Sequence, residues 1–481
     1  MKSFKAFPFL TLLACISLCS CYHEFSGTTG GGGGGGGNNG NTFLNLTITS
    51  TPSTTFSFPS LNWQIGGVSL INGAGTAVPL SSGPTPLLDF ARLQTDSANF
   101  GHATIAAASY TKLQIQFNAP SSSYFYNNTN ATLLGCASGA VCLIPSTVAG
   151  FGATTVTVPI TFTATANANA GIRINFDLSK AVTATGGMTF DFTQTGAVTL
   201  TTLPPALSSQ TSGLDTVDNF TGVVTAKTST SVTVSSFFSQ PSTFTMAATA
   251  EFDDPFHICT APASFNCLTA NQNVSIDGVI NSDGTLTADE VEFLDPATPA
   301  VNELEGVIIS PLSNNQFKMA LTNGMGSAVV SVGSTVIVNL SNAATFFADP
   351  KNLGVSTTPL GFQSQSDLVM GQVVMLQGGT FSGTNTSITN PTRVLLRYSS
   401  IGGTVQSPGS PIFTLSGVSP FLVNLVSNSV VVNTFPNTAY DNISNFSGLV
   451  GGTTNASVRS LYLNPNSGAA QPLLAAKVRA H

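Results

Sequence analysis

Val274-Ser275-Ile276-Asp277-Gly278-Val279, a turn at Asp283-Gly284, then Leu286-Thr287-Ala288 is the stretch that decides the fold. Apolar and polar residues alternate on both sides of the turn, and period-two alternation is the signature of a strand with one buried face. Asp-Gly between two such runs is a strong hairpin signal. The hairpin closes a unit that opens with Phe220-Thr221-Gly222-Val223-Val224 and passes through Thr249-Ala250-Glu251-Phe252-Asp253. The same order recurs twice. Leu304-Glu305-Gly306-Val307-Ile308 leads through Thr345-Phe346-Phe347-Ala348-Asp349 to Val373-Val374-Met375-Leu376-Gln377-Gly378. Ile401-Gly402-Gly403-Thr404-Val405 leads through Thr438-Ala439-Tyr440-Asp441 to Val458–Tyr462 and Ala476-Lys477-Val478. Three repeats are expected, over 219–295, 303–399 and 400–481. Each is long enough to close as a small β-barrel with its own core, so the expectation is an array of barrels with few contacts crossing near Pro296–Asn302 and Ser399–Ile401.

Upstream, 42–203 reads as one β-sandwich-like domain, joined to the repeats by a linker at 204–218 that begins Pro204-Pro205. Its strands include Leu44–Ile48, Lys112–Phe117 and Thr155–Val158. Pro86–Leu93 is the best helical candidate, and it is short. An all-β chain also fits the composition. Only 7% of residues are charged, too few to solvate many helix surfaces, while Ser, Thr, Asn and Gly suit strand faces and turns. The net charge of −7 offers no cationic footprint for nucleic acid.

Several segments of the N-terminal domain carry a resemblance to a known family. They are Thr51-Pro52, Ile65–Leu70, Leu87-Leu88-Asp89-Phe90, Tyr110–Ile115, Ile144-Pro145-Ser146 and Ile172–Leu178. Their order resembles the β-domain of envelope lipoproteins catalogued as domain of unknown function forty-three eighty-two. Ser109 stands where that family usually has Gly. The repeats resemble the small β-barrel catalogued as domain of unknown function fifty-six sixty-six, the first repeat fitting best and the third departing most. Neither resemblance implies an activity.

The first twenty residues read as an export signal: Lys2 and Lys5, then an apolar run from Ala6 to Ile16. The run is too short to span a membrane comfortably. Leu18-Cys19-Ser20-Cys21 resembles the bacterial lipobox and makes Cys21 the expected lipidation site. Leu12-Leu13-Ala14-Cys15 is a second register with a bulkier −2 residue, and an ordinary leader without lipid is the alternative. Residues 21–41, with the glycine run Gly30–Gly37, then form a flexible tether. No Lys-Ser/Thr follows the run, so it is not a phosphate loop. The expectation is an exported, lipid-anchored protein of the bacterial cell envelope, at the outer membrane.

Cys136 with Cys142, and Cys259 with Cys267, form two local pairs that read as disulfides of an oxidising compartment. Zinc is the alternative, but the spacings are not those of zinc sites. No catalytic, cofactor or metal residue is assigned. Ser109-Tyr110-Thr111-Lys112 matches Ser-x-x-Lys, but on an alternating strand the two ends face apart. Glu251, Asp253, Asp254 and His257 could hold a cation, and read more simply as a solvated loop. Asn281, Asp283, Gly284 and Glu290 fit part of a calcium loop whose first position, Val279, has no ligating side chain. Only four histidines, His23, His102, His257 and His481, are spread along the chain, which starves triad chemistry. The chain therefore reads as a non-enzymatic binding or scaffolding module, whose partners are the membrane, through its anchor, and an envelope protein or polysaccharide. The alternatives are a carbohydrate-binding or adhesive protein with Trp63 as its platform, and an enzyme with an unrecognised carboxylate site.

Overall fold

A computed structural model describes residues 40–481 apart from 81–86, 119, 121, 185–186, 204–212, 237–240, 255–258, 260–261, 282–284, 295–302, 314, 324–329, 331, 349–352, 355–360, 420, 423–428 and 466–471. The export signal, Cys21 and the glycine tether lie outside the described residues, as do most of the 204–218 linker and His257. Strands dominate, and the all-β expectation holds. The Pro86–Leu93 segment is not a regular helix: Leu87–Asp89 is a strand, followed by a single 3-10 turn at Arg92–Gln94.

Alternation builds the N-terminal sandwich. Ser109–Phe117 pairs antiparallel with Asn62–Asn72 and Thr154–Thr163, with Leu113, Ile115 and Phe117 pointing inward. The facing sheet runs Val198–Leu203, Asn169–Asp177, Asn41–Thr51, Ala98–Ala106, with a parallel central pair. Asp177 ends that pair and caps the short helix Leu178–Ala181 by accepting from the Ser179 amide at 2.9 Å. Between the sheets lies an aromatic core around Trp63, whose ring centroid is 5.0–6.0 Å from those of Phe90, Phe117, Phe151, Phe190 and Phe192. The outer face of the second sheet is also covered: Asn45, Thr47, Thr49 and Arg173 are buried. That face receives the repeats.

The first repeat closes as a five-stranded barrel. Its strands are Gly213–Lys227, Ser231–Ser236, Ser242–Asp253, Asn273–Asn281 and Leu286–Phe293, in spatial order one-two-three-five-four, with three and five parallel. The deciding hairpin supplies strands four and five. The same circuit recurs in the other repeats. In the second, Glu303–Ser313 and Gln316–Asn323 are followed by a split strand three (Thr335–Asn339, Thr345–Ala348). Strand four is Val373–Gln377, and a split strand five (Ser387–Thr389, then Arg393 onward) completes the ring. In the third, Arg393–Gly409, Ile412–Ser416, Ser429–Asp441, Asn455–Tyr462 and Leu473–Ala480 close in the same order. These are Greek-key barrels of the architecture also used by oligonucleotide- and oligosaccharide-binding folds, an architecture that carries no function by itself. The recurrent opening glycine has a steric cause. A Cβ on Gly306 would stand 2.2 Å from the Ala320 carbonyl oxygen, and one on Gly403 would stand 2.7 Å from that of Ser416.

The second and third barrels are not separate beads. The expected boundary at Ser399–Ile401 falls inside one 17-residue strand, Arg393–Gly409. Its first part is strand five of the second barrel and its remainder is strand one of the third. Their cores are shared accordingly. Leu461, Leu474 and Ala476 pack into the second barrel's cluster, while Val307, Ile309 and Ala320 join the third's. The first barrel keeps a core of its own residues. Local alternation could not reveal the sharing, because a strand that continues through a boundary keeps the same period.

A candidate binding cleft and its ion-pair network

Six arginines exist in the chain, and five of them lie in one buried network between the sandwich and the barrels. Each is fixed by its element. Arg92 stands on the 3-10 turn; its Nε pairs with Asp96 at 2.9 Å and its Nη1 with Glu305 of the second barrel at 3.6 Å. Glu305 also meets Arg397 Nε at 3.3 Å, and Arg397 reaches back to Glu292 on the last strand of the first barrel. Arg459 of the third barrel pairs with Asp277 of the first at 3.2 Å and lies over the Tyr398 ring. Arg479 Nε contacts Asp441 at 2.7 Å, and its other nitrogens donate to the Leu93 and Asp96 carbonyls and to Ser97 Oγ. Arg173 of the sandwich completes the set on Asp441 at 3.3 Å. Every barrel is thus tied to another body by at least one buried ion pair.

Burial alone would raise the carboxyl pKa values here. At Asp96 the charges of Arg92, Arg459 and Lys477 outweigh it and hold the group below the ordinary carboxylate value. At Asp441, Arg479, Lys477 and Arg173 likewise overcome burial and depress it strongly. Asp89 is different: burial dominates, and its pKa is raised despite amide donors from Leu61 and Ala91. Burial would also discharge Arg397, but Glu292 and Glu305 keep its guanidinium firmly protonated.

Beside this network opens a cleft of about 400 Å³, within the usual range for small-molecule sites. One wall is the sandwich loop Thr51–Pro59 with Arg92. The other is the shared strand from Arg397 to Thr404, with Phe421, Arg459 and Thr322. Hydroxyl groups of the lining are engaged across the bodies: Ser400 contacts Thr95 Oγ1, and Ser419 donates to Ser57 Oγ. At the mouth, His481 Nε2 is 2.8 Å from Ser457 Oγ and Nδ1 is 3.3 Å from Thr51 Oγ1. Although His481 as a residue is exposed, both ring nitrogens are engaged. Burial of the ring, then the Arg479 charge, push its pKa down to about 3, against a smaller opposing effect of Asp441. A serine beside such an imidazole is poorly activated: the base is far too weak at neutral pH, and a threonine stands where a triad has a carboxylate.

The residues singled out in the sequence lie elsewhere. The disulfides are formed as expected, Cys136–Cys142 with a Cα separation of 5.8 Å and Cys259–Cys267 with 5.7 Å. They are compatible with an exported protein. Among the described residues no helix is long and apolar enough to cross a membrane. Ser109 and Lys112 are exposed positions of a strand paired on both sides within its sheet. Asp254 accepts the Cys259 amide at 2.7 Å, and Asn281 donates to Thr285 and Thr287 across the hairpin. Among the described residues no group of three His, Cys, Asp or Glu side chains could hold a metal. Trp63 is fully buried in the aromatic core and offers no stacking face. Asp441, which closes the Thr438-Ala439-Tyr440-Asp441 segment of the third repeat, ends a strand in the fold and carries two guanidiniums. The sequence does carry a signal for the arginines. Ile172-Arg173-Ile174, Leu396-Arg397-Tyr398 and Val478-Arg479-Ala480 each set a guanidinium in an apolar strand of a charge-poor chain, and such residues are buried only when paired.

No family model matches this chain, and no curated protein matches it. Among solved structures, MbnP from Methylosinus trichosporium aligns over 29% of this chain and 76% of its own, at 12% identity and a TM-score of 0.17, a likeness too slight to bear on fold or function.

Proposed function

We propose that this chain is a lipid-anchored protein of the bacterial cell envelope, held at the outer membrane through Cys21, whose folded body is a non-enzymatic binding module. The observation that carries the binding reading is the cleft itself: a preformed site at the meeting of three bodies, walled by internally paired charges. The leader, Cys21 and the glycine tether support the anchor, since a flexible spacer after an acylated cysteine lifts a body off a membrane. Two measurements test the reading. Cys21→Ser should move the protein from the membrane to the soluble fraction and abolish labelling by a palmitate analogue; a wild type that is never labelled removes the anchor. Envelope extracts and hydrolase substrates presented to the full chain should give binding without turnover. Turnover that disappears in Ser457→Ala would instead make the protein an enzyme.

A further inference from the structure

The charges on the cleft wall cancel. Arg92, Arg397 and Arg459 face Asp89, Asp96 and Glu305, and each guanidinium is already committed to a carboxylate of the protein. A phosphate, sulfate or uronate entering here would have to compete with those pairs, and a cationic ligand would meet three arginines. Much of the remaining lining is hydroxyl and amide groups, among them Ser53, Thr54, Thr55, Ser400 and Asn455, beside the half-buried Phe58 and aliphatic side chains such as Ile401. Short hydroxyls that both donate and accept, set beside apolar surface, match a molecule that carries many hydroxyls on an apolar ring.

One wall residue adds an independent observation. Thr322, on strand two of the second barrel, is 5% exposed, and its Oγ1 has no hydrogen-bond partner among the described residues. A buried hydroxyl left unpaired destabilises a fold. Valine would fill the same volume without that cost, so the position spends stability on a hydroxyl the protein itself does not use. At the wall of a cleft, that hydroxyl is available to whatever fills the space.

We propose that the cleft binds an uncharged oligosaccharide or comparable neutral polyol, with the Thr322 hydroxyl as one of its hydrogen-bonding partners. This rests on the binding reading above and names its ligand class. The full chain in detergent is titrated by calorimetry with neutral oligosaccharides and with matched uronic-acid and sulfated forms. Neutral glycans should bind and their charged counterparts should bind more weakly. Thr322→Val should weaken binding about three- to tenfold, the loss of one hydrogen bond, while leaving the melting temperature of the free protein equal or higher. Thr54→Trp, at an exposed rim position, should block entry without touching the core. Tighter binding of charged glycans, binding of peptides alone, or neutral-glycan binding insensitive to both substitutions overturns the ligand class while leaving a binding module in place. Absence of any binding together with Ser457-dependent turnover overturns the binding module itself.

Discussion

Glu305 holds two guanidiniums with one carboxylate, at the point where the sandwich, the second barrel and the shared strand meet. Removing one member of a buried pair leaves its partners charged and unmatched, which costs about 3–5 kcal/mol. Glu305→Gln should therefore lower the unfolding free energy by about that amount in denaturant titration. A change below about 1 kcal/mol would mean that water already screens the pair. The triple substitution Glu305→Gln, Arg397→Met, Glu292→Gln should recover part of the loss, since neither the cation nor its second carboxylate is then left stranded. At this scale the sequence was only partly legible. The cysteine pairs were readable because a disulfide of short span needs only local geometry. The arginine network was not, because each ion pair joins residues whose neighbourhood in sequence says nothing of the partner: Arg173 and Asp441 stand 268 positions apart.

Among the elements, Arg393–Gly409 decides how the repeats behave. An array of independent barrels would tolerate excision of the last unit at Ser399. The shared strand does not allow it. Cutting there removes the strand's second half, the third barrel, and also Leu461, Leu474 and Ala476 from the second barrel's core. A chain ending at Ser399 should lose the second barrel's cooperative melting transition while the first barrel, with a core of its own, and the sandwich aromatic core persist. Survival of the second barrel's transition would restore the array. What alternation made legible was the all-β class and the recurring order of elements, down to the hairpin at Val274–Ala288; Leu87–Asp89, read as helical, was missed. What it hid was pairing across the repeat boundary, because a strand's period fixes which face is apolar and leaves open whose neighbour it becomes.

For the whole molecule, the ion pairs predict how acid takes it apart. His481 titrates near 3 in the fold, against 6.5 for a free imidazole, so the unfolded chain takes up that proton first and stability declines as pH falls from about 6.5 towards 3. Asp96 and Asp441, depressed in the fold, contribute fully above their unfolded pKa of about 3.9, and that contribution is lost as pH falls through their folded values. His481→Gln should flatten the first limb of a plot of urea midpoint against pH. Asp441→Asn should lower the midpoint at neutral pH and flatten the second limb; an unchanged slope in Asp441→Asn would remove that carboxylate from the acid response. Arg479 carries a consequence of another kind. It stands on the last strand, yet it donates to the Leu93 carbonyl, 386 positions earlier. Synthesis proceeds from the N-terminus, so the sandwich is complete long before the guanidinium that covers its outer sheet has been made. Arg459 and His481, which line the cleft, arrive as late. Such distant contacts have high contact order and form slowly. A ribosome-bound chain that has emerged only as far as the sandwich therefore has a folded head and an incomplete cleft, whose wall is finished only when Asn455–Tyr462 and Leu473–Ala480 are seated.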